Sequence, residues 1–189
     1  MSVDDEIVLY PGFPLTARDY DGLLDEIRQR MPTKAVTLAH SHGAVQALAS
    51  RPQSAPMVLL APSDPRRPRP GCRAQATALY ACGCVPRLGE WLAGALRRRS
   101  FEALGLQPPV GPPLPLREAA QRLTPRPVAV ASRPGMLVVT SPSDPRHEEQ
   151  LQLAQDLAAS AAVIEGGHMF PLTAHVQTAR LIQEHLALE

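Results

Sequence analysis

The chain has 189 residues, of which 44% are hydrophobic and 20% are charged, and its net charge is +1. This length suits one domain with an insertion rather than two independent domains, and the balanced charge gives no general attraction to nucleic acid or to a membrane. The first residues lack the basic and apolar regions of a signal peptide, and no apolar run approaches the roughly 20 residues that a membrane helix needs. We therefore expect a cytoplasmic protein without a membrane or nucleic-acid partner.

Five short apolar runs predict β-strands. They contain almost no polar interruptions and do not alternate with period two, which is typical of strands buried on both faces of a parallel sheet. The predicted strands are residues 6–10, 35–39, 57–61, 135–140 and 161–165.

Amphipathic segments between these runs predict helices. They cover residues 16–31, 43–50, 146–160 and 172–187, and Thr16 followed by Asp19 indicates an N-cap for the first of them. Because strands and helices alternate, the sequence predicts an α/β fold with a mainly parallel sheet of about five strands and helices on both faces.

A long segment rich in proline and arginine, residues 62–134, separates the third predicted strand from the fourth. Residues 73–83 and 86–104 are predicted helices within it, and an unstructured loop of this length would be unusual. We expect a small helical cap inserted into one domain that spans residues 1–189. The expected apolar face of its second helix consists of Val85, Leu88, Trp91, Leu92 and Leu96.

The three cysteines, Cys72, Cys82 and Cys84, form no CxxC pair. Their odd number argues against a disulfide framework, and structural zinc sites usually combine two spaced pairs of ligands. We therefore expect reduced thiols, with neither a metal nor another cofactor.

A serine stands at the junction between the second strand and its helix, in the stretch AHSHGA. Ala39 lies two residues before Ser41, and Gly43 lies two residues after it. Both positions must hold small residues for the chain to turn sharply. This is the nucleophile-elbow pattern in the variant with alanine for the first glycine. Here the sequence resembles the α/β-hydrolase superfamily, in particular its small serine esterases and thioesterases.

The resemblance covers roughly residues 6–62 and 135–187. The chain departs from the family pattern because it starts directly with the strand that leads to the oxyanion loop, without the early antiparallel strands. One helix then leads to the serine strand, where the family normally inserts another strand. This trimming leaves the sheet edge exposed to pairing, and the oligomeric state stays open.

The family uses a triad in the chain order Ser, Asp, His, and residues of these types follow three predicted strands. Asp144 comes after the fourth strand and His168 after the fifth, at the carboxyl ends where open α/β sheets collect their chemistry. Histidine activates the serine hydroxyl, and the carboxylate fixes the imidazole tautomer. The sequence PSDPR occurs twice, at residues 62–66 and 142–146. Asp144 lies in the second copy, and Asp64, in the first, is the substitute acid.

The resemblance also implies an oxyanion hole made by two backbone N–H groups, those of His42 and Phe13. Gly12 would allow the loop before Phe13 to approach closely. Together with Gly12, three further residues are candidates for the pocket: His40, Met169 and Trp91.

These features imply a serine hydrolase that acts on a small-molecule ester or thioester through an acyl-serine intermediate. Eleven arginines and four acidic residues lie between positions 62 and 127, so a coenzyme A or acidic acyl-carrier-protein partner is one interpretation. A solvated, arginine-rich surface is the other. Two alternatives remain for the function: a non-hydrolytic cyclase or acyltransferase, and a catalytically silent binding protein of the same fold.

Overall fold

The computed structural model describes residues 7–32, 34–50, 55–67, 71–124 and 135–187. Five parallel strands form one sheet in the order of the sequence, so each strand pairs with the next one along the chain. The predicted α/β fold with a parallel sheet is confirmed. The strands are β1 (Ile7–Tyr10), β2 (Val36–His40), β3 (Met57–Leu60), β4 (Met136–Thr140) and β5 (Ser160–Val163).

Helices connect the strands at the predicted places. The predicted cap at Thr16 is present, because the Asp19 carboxylate accepts hydrogen bonds from the Thr16 N–H at 2.7 Å and from its hydroxyl at 3.0 Å. A 3-10 turn, Ala17–Tyr20, precedes the first α-helix, and another, Gly167–Met169, follows β5. The α-helices are α1 (Asp21–Arg30), α2 (Gly43–Ala49), α3 (Cys72–Gly83), α4 (Pro86–Glu102), α5 (Leu116–Leu123), α6 (His147–Asp156), α7 (Phe170–Thr173) and α8 (His175–Ala187).

The sheet has an apolar core on each face, because successive side chains along a strand point to opposite sides. Leu38 of β2 packs on the face that α1 and α8 cover. Its neighbour Ala39 packs on the other face, against α2 and α6. The prediction of helices on both faces is therefore confirmed.

The crossover connections of this sheet do not share one hand. The strand order advances in one direction, yet α1 lies on one face while α2 and α6 lie on the other. The β1–α1–β2 unit therefore has the opposite hand to the β2–α2–β3 and β4–α6–β5 units. Since nearly all parallel crossovers are right-handed, the chain contains a connection of the rare hand.

Three helices, α3 to α5, lie between β3 and β4 along the chain. The two predicted helices are present, and α5 adds a third that the sequence analysis did not predict. The predicted apolar face of α4 is wrong at three positions, because Val85, Leu88 and Trp91 are 53%, 42% and 64% exposed. The buried face instead contains Gly89, Ala93, Arg97 and Phe101.

Small residues explain this reversal. A Cβ on Gly89 would lie 3.2 Å from the Cα of Gly83, so glycine lets α4 approach the end of α3 closely. A face of glycine and alanine can pack at this distance, whereas a face containing leucine and tryptophan cannot.

A buried ion pair joins α4 to the segment that follows β1. Arg97 is only 4% exposed, and its guanidinium donates to the Asp19 carboxylate through Nε at 3.0 Å and also through Nη2. The third guanidinium nitrogen donates to the carbonyl oxygen of Gly111 at 3.0 Å. Every nitrogen of this buried cation is therefore hydrogen-bonded.

We expect Arg97→Met to lower the free energy of unfolding by about 3 to 5 kcal/mol, because it leaves the Asp19 charge buried without its partner. Urea denaturation followed by circular dichroism measures this loss. Arg99→Met, at an exposed position of the same helix, is the control and should change the value by less than about 0.5 kcal/mol. Equal effects of the two substitutions would contradict the importance of the ion pair.

Candidate active site

Ser41 occupies a sharp turn between β2 and α2. Its φ angle is +52°, in the left-handed region that non-glycine residues rarely adopt, and the residue is only 6% exposed. Gly43 is required two residues later, because a Cβ there would lie 2.0 Å from the carbonyl oxygen of Tyr10. The turn thus holds the serine at the carboxyl end of the strand.

Three of the residues singled out in the sequence meet at this end of the sheet. The Nε2 atom of His168 lies 3.0 Å from Ser41 Oγ, and its Nδ1 atom lies 2.6 Å from Asp144 Oδ2. Because an ionised carboxylate can only accept, Nδ1 carries the proton and Nε2 presents its lone pair to the serine hydroxyl. This arrangement can withdraw a proton from Ser41.

Asp144 is held in its ionised form by its surroundings. Burial alone would raise the pKa of this carboxyl, but hydrogen bonds from His168, from the backbone N–H of Arg146 and from Gln150 hold the pKa well below its usual range. The Gln150 amide donates at 2.8 Å and the Arg146 N–H at 3.0 Å. The negative charge is therefore available to stabilise an imidazolium.

The substitute acid, Asp64, is engaged elsewhere. Its carboxylate accepts from the Arg66 guanidinium at both oxygens, with Nε–Oδ1 at 2.9 Å and Nη2–Oδ2 at 2.8 Å. Burial would raise the pKa of Asp64, but these bonds lower it overall. Of the two aspartates in the PSDPR copies, the structure brings Asp144 against His168.

The segments that carry the two predicted oxyanion donors meet at the elbow. A Cβ on Gly12 would lie 2.6 Å from His40 Nδ1 and 3.1 Å from Ser41 Cβ, so only glycine permits this approach. Phe13 follows Gly12 directly, and His42 follows Ser41. Both predicted backbone donors therefore belong to chain segments that contact each other at Ser41.

The profile of the alpha/beta hydrolase family matches residues 9–181. The chain belongs to this family. No curated protein matches the chain in sequence.

Solved structures of low sequence identity share the fold of this α/β-hydrolase. The RedJ thioesterase from the prodiginine biosynthetic pathway in Streptomyces coelicolor is 15% identical, with a TM-score of 0.57 over 95% of this chain and 84% of that one. MenH from S. aureus is also 15% identical, with a TM-score of 0.51 over 94% of this chain and 80% of that one.

A buried chain of hydrogen bonds connects the segments that form the candidate site of this α/β-hydrolase. The Gly12 N–H donates to the Tyr20 hydroxyl at 3.0 Å, the hydroxyl lies 2.6 Å from His40 Nδ1, and His40 Nε2 lies 3.0 Å from the carbonyl oxygen of His168. Because that carbonyl can only accept, His40 donates through Nε2 and accepts the Tyr20 proton at Nδ1. The chain joins the glycine loop to the segment that carries His168.

Sequence reasoning placed His40 at the site but missed Tyr20, which lies within the first predicted helix, residues 16–31. The signal was the histidine itself, because a buried polar ring requires hydrogen-bond partners. Its spacing in the sequence does not reveal which residue supplies them.

Arg146 is another residue that sequence reasoning missed. Its Nη1 donates to the Ser63 hydroxyl at 2.8 Å, and its Nη2 lies 3.0 Å and 3.1 Å from the two ring nitrogens of His168. The guanidinium therefore lies against the imidazole. Its place after the aspartate and proline of the second PSDPR copy was visible in the sequence, but its orientation was not.

The remaining pocket candidates lie apart from the triad contacts. Met169 packs against the apolar core on the α1 and α8 face, and Trp91 points outward from α4. Among the described residues, no group of three histidine, cysteine or acidic side chains could hold a metal ion. Within the same ranges, no helix is long and apolar enough to cross a bilayer.

The burial of His40 predicts a pH dependence of stability. Burial is the main cause that lowers the pKa of His40 from 6.5 to about 3, so the unfolded chain binds a proton that the folded protein does not. The resulting stabilisation is complete above pH 6.5 and is lost as the pH falls from 6.5 towards 3. At about pH 4.5 the loss amounts to roughly 2 to 3 kcal/mol.

Urea denaturation of the wild type and of His40→Gln at several pH values between about 7 and 4.5 measures this effect. In this pH range the imidazole of the unfolded chain takes up its proton. We expect the variant to be less stable at neutral pH but to lose less stability on acidification. Asp144 does not contribute here, because its lowered pKa affects stability only below its ordinary value of 3.8. Parallel curves for the wild type and His40→Gln would contradict the prediction.

Proposed function

We propose that this protein is a serine hydrolase of esters or thioesters, in which Ser41 is the nucleophile, His168 the base and Asp144 the residue that orients the base. One observation carries the proposal: His168 bridges the two others, at 3.0 Å from Ser41 Oγ and 2.6 Å from Asp144 Oδ2. These distances allow proton transfer without rearrangement.

In the proposed reaction, His168 takes the Ser41 proton as the oxygen attacks the substrate carbonyl. The N–H groups of His42 and Phe13 stabilise the oxyanion, and donors of this kind are typically worth about 3 to 4 kcal/mol each in the transition state. The imidazolium then protonates the leaving group, and an acyl-serine forms. Water, activated by the same imidazole, releases the acid.

The charge of the helical segment between β3 and β4 supports thioesters of an anionic carrier as substrates. Its described helices carry five exposed arginines: Arg73, Arg87, Arg98, Arg99 and Arg117. Guanidinium groups bind phosphates and carboxylates with two parallel hydrogen bonds. Coenzyme A or an acidic acyl carrier protein is thus the partner that we propose. The thioesterase activity named for RedJ agrees with this proposal.

We expect a fluorophosphonate probe to label the native protein once, at Ser41, as located by intact mass and peptide mapping. Labelling should disappear in Ser41→Ala, which lacks the nucleophile, and fall at least about 100-fold in His168→Ala, which lacks the base. Ser143→Ala, at an exposed serine next to Asp144, is the control and should label like the wild type.

Hydrolysis of acyl-coenzyme A and of short nitrophenyl esters is measured with the same variants. Labelling of Ser41 without release of free acid would favour acyl transfer or cyclisation. A folded protein that is neither labelled nor active, or one that labels equally well in Ser41→Ala, would overturn the proposal and favour a binding function.

A further inference from the structure

We propose that Arg146 binds an anionic group of the substrate close to the scissile bond. The preferred substrates would then be esters or thioesters with a carboxylate or phosphate a few bonds from the reacting carbonyl. This inference rests on the proposed function, because it names the substrate class of the same site.

The position of the guanidinium is the first argument. Arg146 Nη2 is 3.1 Å from His168 Nε2, which is itself 3.0 Å from Ser41 Oγ, so the cation and the proposed nucleophile contact the same imidazole nitrogen. The other terminal nitrogen of the guanidinium, Nη1, donates a hydrogen bond to the Ser63 hydroxyl at 2.8 Å and so fixes the orientation of the Arg146 side chain. A group attached to the carbonyl that Ser41 attacks therefore comes within reach of this cation.

The second argument comes from the repeated sequence PSDPR. In each copy the aspartate accepts the backbone N–H of the arginine two residues later, at 2.8 Å for Asp64 and Arg66 and at 3.0 Å for Asp144 and Arg146. The two turns are equivalent, but the arginine side chains differ.

Arg66 turns back onto the carboxylate of its own turn and also pairs with Asp156 at 2.6 Å. The ion pair of Arg146 with its own turn is longer, at 3.9 Å from Nε to Asp144 Oδ1, which is beyond hydrogen-bond distance. The first turn therefore pairs its arginine closely with its own aspartate, whereas the second places the terminal nitrogens of its arginine against Ser63 and His168.

Electrostatics supply the third argument. When His168 takes the serine proton, two cations share the one carboxylate of Asp144, which lies 2.6 Å from His168 Nδ1 and 3.9 Å from Arg146 Nε. The positive charge that remains is weakly screened, because the Arg146 side chain is only 12% exposed. An anionic group of the substrate, bound by the guanidinium, offsets this charge in the transition state. A neutral substrate cannot, so the arrangement discriminates in favour of anions.

Three small thioesters test this inference. Butyryl N-acetylcysteamine is neutral, glutaryl N-acetylcysteamine carries its carboxylate in the acyl group, and butyryl N-acetylcysteine carries it in the leaving group. We expect kcat/KM to be about 10 to 100-fold higher for at least one of the anionic substrates than for the neutral one, as for a hydrogen bond to a charged group. Which of the two is preferred identifies the side of the scissile bond that Arg146 recognises.

Arg146→Met should abolish this preference, because kcat/KM falls for the anionic thioester but not for the neutral one, which gains from the lost repulsion between Arg146 and the imidazolium. Arg146→Lys should restore part of the preference. Arg67→Met, which removes an exposed arginine near the same end of the sheet, should keep the full preference. Labelling of Ser41 by the neutral fluorophosphonate should persist in Arg146→Met, which reports that the variant is folded and its nucleophile active.

Equal hydrolysis of all three thioesters by the wild type, or an equal loss for all three in Arg146→Met, would overturn the anion-binding role while leaving the hydrolase proposal intact. Absence of both hydrolysis and Ser41 labelling in the wild type would instead overturn the proposed function and this inference with it.

Discussion

The candidate site depends on a backbone contact between two strand ends. In the β1–β2 register Tyr10 is paired with Ala39, so β1 ends one residue before β2, and glycines then let the following segments touch. A Cβ on Gly43 would lie 2.0 Å from the Tyr10 carbonyl oxygen, and a Cβ on Gly12 would lie 2.6 Å from His40 Nδ1. Gly43 approaches main-chain atoms of Tyr10, and Gly12 approaches the side chains of His40 and Ser41. Close packing at these two glycines therefore sets the distance between Ser41 and the loop proposed to supply an oxyanion donor. Preorganisation of this kind keeps donors in place during a reaction.

Buried polar contacts extend this constraint to the other parts of the site. Tyr20 and His40 connect the glycine loop to the carbonyl of His168, and Asp19, next to Tyr20, pairs with Arg97 of α4. The helical segment between β3 and β4 is thereby tied to the residue proposed as the base. A polar network in which each member is hydrogen-bonded stabilises one arrangement over its alternatives, so burial of these groups contributes positional accuracy more than net stability.

The sequence predicted the sheet and its flanking helices because their patterns are local. Continuous apolar runs indicate strands regardless of their neighbours. The predicted burial on both faces is wrong for β5, which lies at the sheet edge and exposes 53% of Val163. Sequence reasoning failed where tertiary packing decides, as on α4, whose buried face follows Gly89 and Ala93 instead of its largest apolar residues. The sequence analysis also missed the short helix α5, because the prolines just before residue 116 indicate a loop. The rare hand of the β1–α1–β2 crossover also could not be predicted, because no local sequence pattern determines the hand of a crossover. It follows from α1 leading directly into β2, where the family normally inserts another strand.

For the candidate site, the sequence predicted which residue types follow which strands, and it took Asp144 as the acid with Asp64 as the substitute. The two aspartates lie in identical pentapeptides, so no local difference separates them. The spatial order of the strands makes that choice. Asp64 follows β3, the neighbour of the strand that carries Ser41, whereas Asp144 follows β4, the neighbour of the strand that precedes His168. When Nε2 of the His168 imidazole faces Ser41, Nδ1 faces away from the serine. Asp144 is the carboxylate that lies beside Nδ1. The same placement brings Arg146 against the imidazole and leaves Arg66 with the carboxylate of its own turn, so the position of a strand in the sheet gives two identical pentapeptides different chemistry.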